Sequence, residues 1–141
     1  MLSIKMNMRG MATPRPRMGK HGVYNTSKYT NYKKALQIYF RSFKKYEAPK
    51  QLEIEVSFFF VTPKGYKRTK YQVPNLDVDN ALKGVLDAGN NILYDDDMQV
   101  VKATVTKKYA DVDCIFITIK ETAVKKYSDS VTIEIEEIVG N

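Results

Sequence analysis

Two groups of aspartates, Asp77 with Asp79 and Asp95 to Asp97, are the residues of this chain best suited to chemistry. Where the chain is extended, Asp77 and Asp79 project to the same side, because the side chains of a strand alternate with a period of two. Carboxylates brought together repel one another unless a cation joins them. Carboxylate oxygens without a histidine cluster suit Mg²⁺ or Mn²⁺. The spacing therefore favours a divalent-metal site of the kind that supports phosphodiester cleavage.

The segment between the two groups predicts a geometry that brings them together. Residues 80–87 indicate a short helix with Asp79 at its N-cap and Lys83 one turn further on. Gly89 suits the C-terminal cap, after which the chain can return beside the start of the helix. We therefore expect the two acidic groups to converge. The alternatives are structural: Asp79 serves only as a helix cap, and residues 95–97 form a solvated turn.

Other metal sites are excluded by residue type and spacing. The chain has one histidine, His21, and one cysteine, Cys114, which makes a zinc site improbable. An EF-hand that begins at Asp77 would need glycine and glutamate where Leu82 and Ala88 stand.

Net charge differs between the two halves of the chain, although its sum is +7. Residues 1–70 carry 16 Lys and Arg against 3 Asp and Glu, a net of +13, whereas residues 71–141 carry 7 against 13, a net of −6. Residues 9–22 and 62–74 are basic and aperiodic, which predicts exposed loops. Such an asymmetry indicates a surface that binds a polyanion such as nucleic acid. A basic surface without a partner is the alternative.

The length of 141 residues fits one domain with a single core. The lone Cys114 excludes an internal disulfide, suits a reducing compartment and lies in an alternating apolar run, which predicts a buried side chain. No apolar run approaches the length of a membrane span, and residues 1–10 are too polar for a secretory signal. We expect a cytosolic protein without a membrane partner.

The elements that must position the acidic groups are indicated by periodicity. Alternation predicts strands over residues 3–8 and 51–61, and helical spacing predicts a helix over residues 26–45 with an aromatic stripe in the core and a basic face outside. Residues 100–109 and 113–120 predict the two strands of a hairpin. The order fits a single two-layer α/β (α+β) domain, a small mixed sheet packed against two helices.

The acidic segment resembles the RusA family of Holliday junction resolvases. "DVDNALKGVLDA" is similar to the family pattern Asp-x-Asp-Asn-x-x-Lys followed by a further Asp. The matching residues are Asp77, Asp79, Asn80, Lys83 and Asp87. The opening stretch "PRPRMGKHGVYNTSKYTNY" is also similar to the family's Pro/Arg-rich loop, so that the resemblance spans roughly residues 12–110.

The second acidic group is also similar to a motif of this family, Asp-Asp-x-Gln-Val, in "LYDDDMQV". Because the family's essential aspartate directly precedes x-Gln-Val, the resemblance selects Asp97 over Asp96, and Asp95 is additional. It implies that Asp77, Asp79 and Asp97 hold the metal, with Asn80 and Asp96 in support. Lys83 would stabilise charge on the phosphate or position the water. A simple ion pair with Asp79 or Asp87 is the alternative role of Lys83.

The resemblance further implies a RusA-like nuclease domain over residues 1–120 and a homodimer that binds branched DNA. It would cut two opposed strands of a four-way junction with Mg²⁺, or Mn²⁺, in DNA recombination and repair, leaving 5′-phosphate and 3′-hydroxyl ends. The residues expected to contact backbone phosphates are Arg15, Arg17, Lys20, Lys67, Arg68 and Lys70. Residues 121–141 form an extension whose alternation suits an added edge strand.

Two other functions are compatible with the same residues. One is a non-catalytic nucleic-acid-binding protein in which the acidic groups are solvated turns. The other is a Mg²⁺-dependent nuclease that cleaves flaps or replication forks. For each, the expected location is the cytoplasm, that of a bacterial host if the chain is phage-encoded.

Overall fold

A computed structural model of the chain describes residues 1–14, 17–19, 22–24 and 26–123, with side chains over 1–14 and 26–123. The strands are β1 (Leu2–Met6), β2 (Arg17–Gly19), β3 (Gly22–Tyr24), β4 (Gln51–Val61), β5 (Val100–Ala110) and β6 (Cys114–Thr122). The helices are α1 (Ser27–Phe40) and α2 (Val78–Gly89), and 3₁₀ turns occur at Tyr66–Arg68 and Asp97–Gln99. The predicted added strand within residues 121–141 lies outside the described residues from position 124 onward.

Strand β4 lies inside a four-stranded mixed sheet with the order β1-β6-β4-β5. It pairs antiparallel with β6 and parallel with β5, while β1 pairs antiparallel with β6. Leu52, Val56 and Phe58 have no exposed surface, as the period-two alternation of β4 predicted. This row packs with residues of α1 and α2 in one hydrophobic core, so that the predicted two-layer α+β architecture is confirmed.

The predicted hairpin of residues 100–120 is wrong, because β4 lies between β5 and β6. The inward positions of β5 include Ala103, which is exposed, and Lys107, which is half-buried. Although Val105 and Tyr109 of the same row pack against the core, a row interrupted by this alanine and this lysine gains less from a central place in the sheet. The more apolar β6 therefore pairs with β1 and β4, and β5 occupies the edge. Within the predicted loop of residues 9–22, Arg17–Gly19 also pairs antiparallel with β3.

Helix α1 ends five residues before the predicted boundary at residue 45, since its last residue is Phe40. Thr26 is the N-cap, and its side chain accepts a hydrogen bond from the Tyr29 N–H at 3.3 Å. Phe43, an aromatic residue within the predicted range 26–45 but beyond the end of the helix, still packs against the core. It does so from a turn closed by its N–H and the Phe40 carbonyl at 3.1 Å. The apolar residue at position 43 therefore continued the helical spacing in the sequence, although the helix itself ends at Phe40.

Helix α2 is longer than the predicted residues 80–87, and its N-cap is Asp77 in place of Asp79. Gly89 is its last residue and does not form the left-handed cap; the residue with positive φ, of 66°, is Asn91. Glycine is required at position 89 for another reason, because an added Cβ would lie 2.5 Å from the hydroxyl oxygen of Tyr94. Among the described residues, no helix is long and apolar enough to cross a membrane.

Candidate active site

Helix α2 is held to the core by one face and presents polar side chains on another. Its buried residues are Ala81, Gly84, Val85, Ala88 and Gly89. Asp79, Lys83 and Asp87 follow one another at intervals of four residues, and side chains at this spacing lie along one side of a helix. Asp79 and Lys83 are exposed, whereas Asp87 is half-buried. This polar row runs along α2 from the first acidic group, at the start of the helix, towards the C-terminal end of the helix.

Asp77 and Asp79 form a contacting pair of carboxyl groups at the start of α2. The Asp77 side chain caps no backbone N–H; Asn80 Nδ2 donates to Asp77 Oδ2 at 2.7 Å. A hydrogen bond between the two carboxyl groups is the main cause that raises the pKa of Asp77 and lowers the pKa of Asp79. Two exposed carboxyl groups therefore lie next to each other, in a place where a cation would relieve their repulsion.

The donor set of this pair fits a hard divalent cation. Mg²⁺ in proteins is usually bound by one or two carboxylates while it keeps several waters and binds phosphate oxygens of the substrate. Within the described part of the chain, no three His, Cys, Asp or Glu side chains are grouped so that they could hold a metal ion. An ion at the Asp77–Asp79 pair would therefore take its remaining ligands from water and substrate.

The opening segment and α1 are both attached to the start of α2. Thr13 Oγ1 donates to the backbone carbonyl of Asn80 at 2.9 Å and lies 3.4 Å from the Tyr29 hydroxyl. Gly84 leaves the space for this contact, since an added Cβ would be 2.9 Å from Thr13 Oγ1. The described opening segment, which ends at Pro14, thus contacts α2 next to the carboxyl pair.

Two side chains of β5 fix the segment that leads into Asp77. Lys107 Nζ donates to the Leu76 carbonyl at 2.9 Å, and the Tyr109 hydroxyl donates to the Val73 carbonyl at 3.0 Å. The sequence analysis used the alternation of residues 100–109 only to predict a strand, and it placed neither Lys107 nor Tyr109 in the site. A lysine at an inward position of an alternating strand is uncommon, and this was the signal that could have found it.

Asp95 is a structural residue of the second acidic group. Its Oδ1 lies 2.8 Å from Lys45 Nζ, and its Oδ2 accepts a hydrogen bond from the Ala48 N–H at 2.8 Å. Both oxygens are thereby used to hold the connection between α1 and β4. The same two contacts lower the pKa of Asp95, with the Lys45 bond as the larger cause. The family motif, which does not include this residue, is consistent with that role.

Asp96 and Gln99 build the 3₁₀ turn Asp97–Gln99. Asp96 Oδ1 accepts a hydrogen bond from the Met98 N–H at 2.8 Å. Gln99 Oε1 accepts from the N–H groups of Asp95 and Asp96, at 2.8 and 3.2 Å. Gln99 Nε2 donates to the carbonyls of Tyr46 and Lys50, at 3.2 and 3.1 Å. The Asp-Asp-x-Gln motif therefore shapes this turn, with Asp96 as a cap.

Among the described residues, Asp77, Asp79 and Asp97 do not form the three-carboxylate group that the sequence predicted. The Asp97 N–H donates to Asn90 Oδ1 at 2.8 Å, which fixes Asp97 just beyond the end of α2. Burial first, and then the charges of Asp96 and Asp87, raise the pKa of Asp97. Since α2 rises about 1.5 Å per residue, Asp79 and Asp87 mark positions about 12 Å apart along the helix axis. After α2 the chain lies beside the C-terminal end of the helix. The sequence had predicted that it would return beside the start of the helix.

Lys83 lies between these two ends of α2. It is exposed, and no ion pair within 4.0 Å joins it to Asp79 or Asp87, both of which are among the described residues. The alternative role of Lys83, as the intrahelical partner of either aspartate, is therefore not seen. Its ammonium group is available to an anion beside the carboxyl pair.

The predicted phosphate contacts are described only in part. Lys67, Arg68 and Lys70 are exposed in the loop between β4 and α2, where Thr69 Oγ1 donates to the Tyr66 carbonyl at 2.7 Å. Lys70 Nζ lies 5.2 Å from the centre of the Tyr71 ring. Arg15 and Lys20 lie outside the described residues, and of Arg17 the backbone in β2 is described but the side chain is not.

An α+β domain with a carboxyl pair beside basic loops has the chemistry expected of a protein that acts on phosphodiesters. The family model of endodeoxyribonuclease RusA matches residues 7–120 of the chain. The chain therefore belongs to the RusA endodeoxyribonuclease family, and the predicted family is confirmed. It is also similar to "Uncharacterized protein YqaN" of Bacillus subtilis (strain 168), with 45% identity over 47 residues. This stretch is 33% of the chain and 33% of that protein, so the chain spans about a third of the relative it matches.

Proposed function

We propose that the protein is a Mg²⁺-dependent endodeoxyribonuclease that resolves four-way DNA junctions by paired symmetric nicks. Membership of the RusA endodeoxyribonuclease family supports the nuclease activity. The observation that carries the proposal is the contact between the Asp77 and Asp79 carboxyl groups, where one group's pKa is raised and the other's lowered by their shared hydrogen bond. Such a pair at the exposed start of a helix fits a cation and a phosphate better than it fits water alone.

Asp77 and Asp79 are the proposed ligands of Mg²⁺, for which Mn²⁺ can substitute, and Asp97 is the third proposed acidic group of the site. A bound divalent ion would polarise the scissile phosphate and lower the pKa of a bound water. Asn80 orients Asp77 through its bond of 2.7 Å. The exposed ammonium group of Lys83 neutralises charge that develops on the phosphate. Asp96 supports the turn that carries Asp97.

The basic loops supply affinity without reading sequence. Lys67, Arg68 and Lys70 are exposed, and together with Arg15, Arg17 and Lys20 we propose them as contacts to backbone phosphates. Such contacts fix the register of a protein on DNA and carry no sequence information directly. A homodimer would present two equivalent sites to opposed strands of a twofold-symmetric junction. We propose that it leaves 5′-phosphate and 3′-hydroxyl ends and acts in recombination and repair in the bacterial cytoplasm.

A non-catalytic DNA-binding protein is the second candidate. It is favoured by the structural roles of Asp95 and Asp96 and by the absence of a three-carboxylate group among residues 1–14 and 26–123. In that case the Asp77–Asp79 pair would be solvated and the domain would bind branched DNA without cutting it.

A panel of DNA substrates tests the proposal. The protein is incubated in Mg²⁺ with a synthetic four-way junction, a flap and a linear duplex, each labelled in turn on every strand. Paired symmetric nicks confined to the junction are the expected result. Preferential cutting of the flap would identify a flap or fork nuclease, and binding of the junction without any cleavage in Mg²⁺ or Mn²⁺ would favour the non-catalytic candidate.

A further inference from the structure

Helix α1 carries a basic surface that the site described above does not use. Between Ser27 and Lys45 the chain has six lysines and arginines and no aspartate or glutamate. Lys28, Lys34, Arg41 and Lys44 are exposed. Lys28 and Lys34 lie in α1, Arg41 is its C-cap and Lys44 follows the helix; we name these four residues the α1 basic face. Lys34 and Arg41 are seven residues apart, which places them about two helical turns apart on one side of the helix. The core-facing side of α1 is separate and consists of Tyr29, Tyr32, Leu36 and Phe40.

The cations of the α1 basic face have no acidic partner among the described residues, where the ion pairs within 4.0 Å join other groups. Elsewhere among the described residues three lysines are paired. Lys102 and Lys120 on the open face of the sheet lie 4.0 and 3.2 Å from the Glu53 carboxylate, and Lys45 lies 2.8 Å from Asp95. Exposed helices commonly gain a few tenths of a kcal/mol from each Glu–Lys pair at a spacing of four residues. Helix α1 forgoes this stabilisation, which leaves its positive charge for an external anion.

The place of α1 in the fold puts this charge beside the proposed active site. Near its start, Tyr29 contacts Thr13, which bonds the Asn80 carbonyl at the start of α2. Further along, Gln37 Nε2 donates to the Ala88 carbonyl near the end of α2 at 3.4 Å. The two helices therefore run in the same direction. The α1 basic face therefore belongs to a helix that runs alongside α2, the helix that begins at the Asp77–Asp79 pair.

We infer that the α1 basic face binds the phosphate backbone of a duplex arm of the DNA substrate, in addition to the contacts of the basic loops. This inference rests on the proposed function, which supplies the DNA. From Lys34 to Arg41, the two cations that share one side, the helix rises about 10 Å, the length of roughly three nucleotides of one strand in a duplex. An array of cations without acidic side chains neutralises phosphates whatever the base sequence. The face therefore supplies affinity and orientation, while the carboxyl pair supplies the chemistry.

The test compares two double variants with the same change in net charge. Lys34→Gln with Arg41→Gln removes two cations of the α1 basic face, and Lys102→Gln with Lys120→Gln removes two cations that are paired with Glu53. Binding to a labelled four-way junction is measured in EDTA, so that no cleavage occurs, over a series of salt concentrations. Circular dichroism melting verifies that both variants are folded.

The α1 variant is expected to bind about tenfold more weakly at low salt, and the slope of log affinity against log salt is expected to become less steep by about two, one for each lost phosphate contact. The sheet variant is expected to keep the slope of the parent protein. Equal losses in the two variants, or no loss in the α1 variant, would overturn the inference. A change in oligomeric state confined to the α1 variant would also overturn it, because Ile38, which is 66% exposed beside these cations, would then belong to a protein interface.

The outcomes also separate this inference from the proposed function. If the parent protein cuts junctions and the α1 variant binds them equally well, the inference fails and the nuclease proposal stands. If the α1 variant loses affinity as expected but the parent protein cuts no DNA in Mg²⁺, the inference stands and the nuclease proposal fails. If the parent protein binds no DNA, both are refuted.

Discussion

The carboxyl groups of Asp77 and Asp79 lie in hydrogen-bonding contact, and this contact raises the pKa of Asp77 and lowers that of Asp79. Neither group is buried, so the shifts come chiefly from the interaction between the two side chains. Asn80 holds Asp77 in place through a bond of 2.7 Å. The pair is therefore oriented before any ligand arrives, which reduces the cost of ordering it around a cation and a phosphate.

Lys107 is expected to position the carboxyl pair through the segment before it. Replacement by methionine in Lys107→Met removes the bond of 2.9 Å to the Leu76 carbonyl, and the junction-cleavage rate should fall about tenfold, as is typical when a group that orients a metal site is lost. Lys108→Met is the matched control, because Lys108 is the next residue, is exposed and points to the other face of the sheet. Equal rates for the two variants in single-turnover cleavage would contradict a positioning role of Lys107.

Asp95 is expected to make stability depend on pH. Its pKa is lowered in the folded protein by Lys45 and by the Ala48 N–H, so its ionised form stabilises the fold above the unfolded pKa of about 3.9. This contribution is lost as pH falls through the lower pKa of the folded state. Asp95→Asn should therefore lower the melting temperature at neutral pH, and the difference from the parent should shrink in acid. A difference that is constant from neutral to acidic pH would contradict this account.

Gly89 is expected to tolerate no side chain. In Gly89→Ala the new Cβ would lie 2.5 Å from the Tyr94 hydroxyl oxygen, which donates to the Leu86 carbonyl at 2.7 Å. Overpacking of this kind costs about 1–3 kcal/mol, to be measured by urea denaturation. Gly65→Ala is the control, since an added Cβ there meets nothing within 4 Å. A Gly89→Ala variant as stable as the Gly65→Ala variant would show that Tyr94 can move aside.

The strands that bury a full apolar row were predictable from sequence, and the partners of each strand were not. The alternation that ends in Phe58 and Phe60 identified β4 because burial on one face of a sheet imposes a period of two. The hairpin assignment for residues 100–120 failed because local periodicity does not say which strand lies between two others. Lys107, an inward lysine on β5, was the residue that marked β5 as the edge strand.

The candidate site was predictable as a set of residue types, whereas their roles depended on distant contacts. The spacing of Asp77 and Asp79 predicted two carboxyl groups on one side of the chain, and a hydrogen bond between them is the main cause that raises the pKa of Asp77. The structural role of Asp95 could not be foreseen, because its partners Lys45 and Ala48 lie about 50 residues earlier in the chain. Asp97 was expected near Asp77 and Asp79 because the chain turns back after α2. The turn is short, however, and Asp97 lies at the C-terminal end of the helix.

Asp97→Asn tests whether this residue belongs to the site. Its half-buried side chain has a raised pKa, and as the third proposed acidic group it should be needed for cleavage, so that the variant loses on the order of a hundredfold in rate or more. Asp96→Asn is the control, since Asp96 caps the same turn through the Met98 N–H. If the Asp97→Asn variant cuts junctions as fast as the parent protein, Asp97 has no place in the chemistry.

Cleavage of a four-way junction by Asp77→Asn measures the central claim most directly. Loss of a proposed metal ligand should slow cleavage in Mg²⁺ about a thousandfold, because the charge stabilisation at stake is several kcal/mol and about 1.4 kcal/mol corresponds to a factor of ten. Junction binding should be retained or tightened, since a negative charge next to the phosphate is removed. Asp95→Asn, which removes the same charge away from the carboxyl pair, should cut at nearly the parent rate. An Asp77→Asn protein that cleaves as fast as the parent would contradict the account.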